Sequence, residues 1–260
     1  MPDTNDDRKV LWNQMTAEAV CAQAEADAIV LLPVASTEQH GPHLATGVDT
    51  VLCGEVCRLT AHKVVKHRPI VVAPTVWMGL AEHHMSFGGT FTVSLATWHA
   101  LLHDLCEAIL RAGFEKILIV NGHGGNMAAL NTLTTELTRD LDSPIATTTY
   151  FIPASKAGKI DPILEDQKGL IHACEAETSM MMAVTPDLVD HDRLPEAHGP
   201  QPTMDELLSP AMLRWRPIME VSPSGVLGDA RNSSAEKGER LLQAVSDVLA
   251  EALIAGKPWE

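Results

Sequence analysis

The chain predicts an α/β fold of three layers, α/β/α, with a mostly parallel central sheet. Two observations carry this. Short runs that are apolar throughout recur along the 260 residues, and segments with helical apolar spacing lie between them. Strands apolar on both faces belong in a sheet covered on both sides, and strands separated by helices are joined in parallel. The pattern runs without a break, so residues 1–260 are expected to form one domain.

The elements follow in order. Residues 28–34 (AIVLLPV) form the first buried strand, and 50–67 a helix. A second strand covers 69–74 (PIVVAP), followed by a loop rich in Gly, His and Met at 79–89. Ser94 caps a helix that runs to Ala112, and Gly113 ends it. Residues 116–120 (KILIV) give a third strand with NGHGGN directly behind it, then a helix over 127–141 and a fourth strand over 144–150. A helix is expected over 173–184, with Pro186 just beyond its end. Residues 194–216, rich in Pro and charge, read as a loop or arm, and Ser234 opens a last helix over 235–255.

The chemistry is concentrated in three segments. STEQHGPHLATGVD holds Glu38, His40, His43 and Asp49; NGHGGN holds His123; HACEAETS holds His172, Glu175 and Glu177. In open α/β sheets, ligands bind at the carboxyl ends of the strands, and Glu38, His40 and His123 each follow a predicted strand closely. Glu38 and His40 are two apart in an extended segment and point to one side. Asp49 returns just before a helix, where the dipole favours a carboxylate, and its two oxygens suit it to bridge two metals. Imidazole and carboxylate are the usual ligands of zinc and manganese, and paired ions can activate water and polarise a carbonyl.

Taken singly, each residue has a plainer account. Asp49 can cap a helix, and Glu38, His40 and His123 can be solvated loop residues. The set as a whole favours a two-metal hydrolytic site. NGHGGN lacks both the lysine of a phosphate loop and the spacing of a dinucleotide fingerprint. Glu175 and Glu177 are two apart and cannot share a helix face, so at most one enters the site from regular helix. His83 and His84 read as core or surface histidines in a loop placed to wall a pocket.

The formal net charge of −15 argues against nucleic acid or an anionic membrane as partner, and its plainest account is simple solubility; the partner expected from the site is a small-molecule substrate. No 18-residue apolar run is present, and MPDTNDDRKV lacks an apolar signal core. Five cysteines without a CxxC pair fit a reducing, cytoplasmic setting.

These segments, with GLAEHHMSFGGTF and GVLGDARNSSAEKGE, resemble the creatininase (creatinine amidohydrolase) family in order from about residue 28 to residue 240. The resemblance implies a three-layer α/β fold, two divalent ions per chain (zinc, manganese or both) and a homo-oligomer, commonly a hexamer. It implies Glu38, His40, Asp49 and His123 as metal ligands, with Asp49 bridging, and Glu177 as the remaining ligand. His172 resembles a histidine placed beside the substrate, with Glu175 as a further acid–base candidate. Creatininase proper has a metal-binding glutamate two residues after the NGH histidine. Gly125 stands there, so the chain is similar to an NGHGGN branch rather than to creatininase itself. The expected activity is hydrolysis of a non-peptide C–N bond in a small, cyclic amide by metal-activated water. The alternatives are a formamide deformylase, a lactone hydrolase, a peptide-trimming hydrolase, or a catalytically silent metal- or ligand-binding protein.

Overall fold

A computed structural model describes residues 7–165, 167–203, 206–207 and 211–260. Four strands form one parallel sheet: β1 (Ile29–Val34), β2 (Ile70–Val72), β3 (Lys116–Asn121) and β4 (Ala146–Thr149), in the spatial order β2-β1-β3-β4. The main helices are α1 (Ala17–Glu25), α2 (Val48–Val64), α3 (Leu95–Arg111), α4 (Met127–Asp140), α5 (Phe151–Lys156), α6 (Glu175–Val184) and α7 (Ala235–Ile254).

The strand period of two sorts the apolar residues into two cores. Ile29 and Leu31 of β1 join Leu118 and Val120 of β3 in one core, with α2, α5, α6 and α7. Val30, Leu32 and Val34 join Ile117 and Ile119 in the other, with α1, α3 and α4. The sheet is therefore the middle of three layers, as the uniformly apolar strands predict.

Chain order positions the site. From β1 the chain reaches β2 through α2 on the first face, then crosses the second face through α3 to β3, on the other side of β1. The direction of winding reverses between β1 and β3, and the loops behind their carboxyl ends part to leave a crevice.

Several boundaries differ from the sequence reading. The helix expected from residue 50 starts at Val48, so Asp49 lies inside its first turn; Gly47 is the capping residue and makes no side-chain cap bond. The helix expected from 173 starts at Glu175, because Ala173 adopts a left-handed φ of +50°. The unexpected α1 buries only Val20 and is held by Thr16, whose hydroxyl accepts from the Ala19 N–H. Pro153 obscures α5 in the sequence, but a first-turn proline costs no helical hydrogen bond. The arm expected over 194–216 starts in a 3-10 turn (His191–Glu196); its residues 204–205 and 208–210 lie outside the described residues. Among the described residues, no helix is long and apolar enough to cross a membrane.

Gly122 couples the sheet to α2. A Cβ there would lie 2.6 Å from the Cβ of Cys53 and 3.1 Å from the Asp49 carbonyl. We expect Gly122→Ala to destabilise the protein by about 1–3 kcal/mol through overpacking, measured by urea unfolding. A variant as stable as the parent would show that α2 shifts freely away from β3.

Candidate metal centre

The crevice collects side chains from four segments. Glu38 and His40 come from the turn after β1, Asp49 from the first turn of α2, His123 from the loop after β3, and Glu177 from α6. All five are at most 3% exposed. The asparagines of NGHGGN fix the loop. Asn121 Oδ1 accepts from the His123 N–H at 3.1 Å, and Asn121 Nδ2 donates to the His123 carbonyl at 2.7 Å. Asn126 Oδ1 accepts from the Leu80 N–H, and its Nδ2 donates to the Ala35 carbonyl, tying together the loops behind β1, β2 and β3.

Among the described residues the donor atoms form three groups: Glu38, Asp49 and His123; His40, Asp49 and Glu177; and Glu38, His40 and His172, so that Asp49 is shared by the first two. His123 Nδ1 lies 3.1 Å from Glu38 Oε2 and 3.1 Å from Asp49 Oδ2. His40 Nε2 lies 3.2 Å from Asp49 Oδ1 and 4.0 Å from Glu177 Oε2. Each histidine is oriented through its other nitrogen: His40 Nδ1 donates to the Glu38 carbonyl at 3.1 Å, and His123 Nε2 to the Leu80 carbonyl at 3.2 Å. With those protons placed, the neutral rings would present lone pairs inward at His40 Nε2 and His123 Nδ1, the arrangement of imidazoles that ligate metal. Glu38 Oε2, Asp49 Oδ2 and His40 Nε2 are buried without a hydrogen-bond partner. Buried polar atoms rarely stay unpartnered, and bound cations would satisfy them. The residues present therefore fit bound divalent cations, and Asp49 belongs to two of the groups that could hold one.

The electrostatics agree. Glu38, Asp49 and Glu177 are buried together, and the ion partners recorded for them among the described residues are histidines. Burial pushes the Glu38 carboxyl up and lifts Glu177 to about 7. Burial also works to raise the Asp49 carboxyl, but His40 and His123 hold it well below the usual carboxylate range. For His40, burial favours the neutral ring, yet Asp49 outweighs it and the pKa rises to about 9. A cluster so rich in negative charge attracts protons or metal ions in competition.

His172 reaches the same cluster. Its ring lies 4.4 Å from that of His40, its Nδ1 is 3.6 Å from Glu38 Oε1, and its Nε2 is 3.0 Å from the Gln39 carbonyl. Its backbone pairs with Leu227, which brings the late GVLGDAR segment beside the centre. Burial and the neighbouring His40 push its pKa well below the ordinary histidine value.

Two residues in the cluster were not singled out from sequence. His84, expected as core or surface, places Nε2 at 3.2 Å from Glu38 Oε1. Gln39 donates from Nε2 to His84 Nδ1 at 2.8 Å and to the Gly225 carbonyl at 3.1 Å, and its Oε1 accepts from the Gly41 N–H. The position of the HH pair behind β2, in the plane of the other strand-end donors, is the signal that could have found His84. His43 lies apart from the donors, its Nε2 2.7 Å from the Thr178 hydroxyl.

Glu175 is not brought to this cluster. Its carboxylate accepts from Lys237 Nζ at 2.6 Å and from the Glu165 N–H at 3.0 and 3.1 Å. Gly125 leaves no room for a ligand of its own, since a Cβ there would overlap His123 Nε2 and the Leu80 carbonyl that it meets. A cleft of about 510 Å³ is lined by residues that include Gln39, His40, Phe87, Arg193, Glu196 and Ser224.

Residues 13–253 match the model of one protein family, described as creatinine amidohydrolase. The chain is 31% identical over 234 residues to a mycofactocin precursor peptide peptidase of Mycolicibacterium smegmatis, covering 89% of this chain and 85% of the relative. It is 26% identical over 266 residues to the creatinine amidohydrolase of Pseudomonas putida, covering 94% of each. A crystal structure of creatininase superposes with a TM-score of 0.82 at 25% identity, covering 96% of this chain and 99% of that one.

The pKa shifts fix how the metal-free protein responds to pH. The His40 pKa is raised from 6.5 to about 9, so the stability it contributes is complete below about 6.5 and lost as pH rises through 9. With a chelator present, we expect the thermal unfolding midpoint to fall between pH 6.5 and 9. Saturation with Mn²⁺ or Zn²⁺ should remove that fall, because the ions replace the proton. An unchanged midpoint across this range in the chelated protein would contradict the coupling of His40 to Asp49.

Proposed function

The chain belongs to the creatininase family, and from that premise we propose that it is an amidohydrolase that holds two divalent ions, zinc or manganese, and uses water to cleave a C–N bond of a small, cyclic amide. The observation that carries this reading is the bridge geometry of Asp49. One of its oxygens faces His40 and the other faces His123, each within a separate group of buried donors. Glu38, His123 and Asp49 Oδ2 would hold one ion; His40, Glu177 and Asp49 Oδ1 would hold the other.

When bound, the ions supply a water acidic enough to be deprotonated near neutral pH and positive charge facing a developing oxyanion. The chain's own residues supply the rest. His172 Nε2 lies 3.0 Å from both the Gln39 carbonyl and Gln39 Nε2; with its proton directed at the carbonyl, Nδ1 would be the atom that accepts and returns a proton. Burial and the neighbouring His40 lower its pKa, which keeps the ring neutral. Gln39 donates to His84 Nδ1, so His84 carries its proton on Nε2 and directs it at Glu38 Oε1, fixing that carboxylate. The cleft over Gln39 and His40 has the size of a small-molecule site. Glu175, engaged by Lys237, is left out of the proton transfers.

A second reading is hydrolysis of a peptide C–N bond near the end of a short peptide. It is favoured by the 31% identity to the mycobacterial peptidase and by Gly125 in place of a further carboxylate. A panel of lactams, cyclic ureas, formamides and short peptides, assayed with Mn²⁺ or Zn²⁺, separates the two readings by which bond is cut.

Elemental analysis of protein purified without chelator is expected to give close to two ions per chain. Asp49→Ala should lose both. His172→Ala should keep both and slow turnover by about 10²- to 10⁴-fold, as loss of a general acid–base group does. An Asp49→Ala protein with two ions and full activity would remove the basis of the proposal. A His172→Ala enzyme at the parent rate would move the proton transfer to another residue.

A further inference from the structure

Lys237, in the first turn of α7, is only 8% exposed, which is rare for a lysine. Its Nζ donates to Glu175 Oε1 at 2.6 Å and to the Asn232 carbonyl at 2.6 Å, and lies 2.8 Å from Glu165 Oε1. Around this pair the two helix starts are stitched together. The Ser233 hydroxyl donates to the Glu175 carbonyl, and the Ser234 N–H donates to the Ser179 hydroxyl. Gly238 lies so close to the Ser179 carbonyl that any Cβ would overlap it.

The turn held in this way also carries Glu177. With 3.6 residues per turn, Glu175 and Glu177 project about 200° apart around the helix axis. A contact that fixes Glu175 outward therefore fixes Glu177 inward, toward His40. Glu177 Oε2 accepts from the Ala173 N–H at 2.5 Å, and Ala173 sits at a φ of +50°. Such backbone persists only where its surroundings over-determine it. A buried ion pair adds little net stability over an apolar pair of the same volume, and its distinctive contribution is orientation.

We propose that Glu175 and Lys237 form a positioning pair. They set the rotation of α6 about its axis, and with it the affinity of the ion position built from His40, Asp49 and Glu177; the position built from Glu38, Asp49 and His123 does not depend on them. This rests on the two-ion reading above.

The test is Mn²⁺ content against graded chelator for the parent, Lys237→Met, Lys237→Arg, and the Glu175→Gln/Lys237→Met double variant. The double variant removes both charges and so keeps the measurement open if Lys237→Met alone fails to fold. The expected result is selective. In Lys237→Met and in the double variant, one of the two ions binds about 10- to 100-fold more weakly, the effect of losing a residue that orients a ligand. The second ion stays within a few-fold of the parent, and Lys237→Arg retains both. A merely structural role predicts instead a lowered metal-free unfolding midpoint with both ions weakened alike, and that outcome overturns the proposal. So does a double variant with parental affinity for both. A parent chain that takes up no ion fails the two-ion reading itself and takes this proposal with it.

Discussion

Three carboxylates are buried side by side at the end of a parallel sheet, and among the described residues their ion partners are histidines. Moving one such charge out of water costs several kcal/mol, and placing three together multiplies the cost. The surrounding structure is arranged around that cost. Backbone carbonyls take the outer protons of His40 and His123, so that both rings turn lone pairs inward. The Ala173 N–H is held against Glu177, and the His84 ring against Glu38. The cluster can remain as found only if protons or metal ions share it, which makes occupancy a property of the fold.

The donors sit in the first turns of two helices and in short connections directly behind two strands. Gly122 lets β3 approach the first turn of α2, which sets His123 beside Asp49. Asn126 binds the loops behind β1 and β2 to the loop behind β3. Donors mounted on such elements keep their geometry better than donors on free loops, and a ligand pair with separations near 3 Å needs that accuracy.

Much of this was legible in the sequence, for identifiable reasons. Residues 28–34 and 116–120 are apolar on both faces, and only a covered parallel sheet accommodates them. The histidines and carboxylates just behind those strands then fall together through the general geometry of such sheets. Other features depended on contacts that no local spacing encodes. Gln39 alternates with Glu38 and His40 and by strand periodicity points away from them, but the chain turns at Gly41 and brings its amide to His84. Lys237 reads as an ordinary helix-surface lysine until α6 is laid against α7. Glu175 and Glu177 could be separated in principle by helical phase, but only the partner helix decides which of the two faces inward.

The origin of the donors along the chain also bears on how the protein forms. Glu38, His40 and Asp49 lie within one short stretch, whereas His123 and Glu177 arrive much later in the sequence. In the order β2-β1-β3-β4, the first two strands can pair before β3 exists, but the crevice opens only when β3 docks on β1. Contacts of such sequence separation form late and slowly. A nascent or truncated chain therefore carries Glu38, His40 and Asp49 without the closing imidazole of His123 and carboxylate of Glu177, and would hold ions poorly. Tight ion uptake, in the proposed protein, would be a checkpoint of completed folding: it would lock the segment around residues 38–49 to those around residues 123 and 177, and raise the barrier to losing any of them.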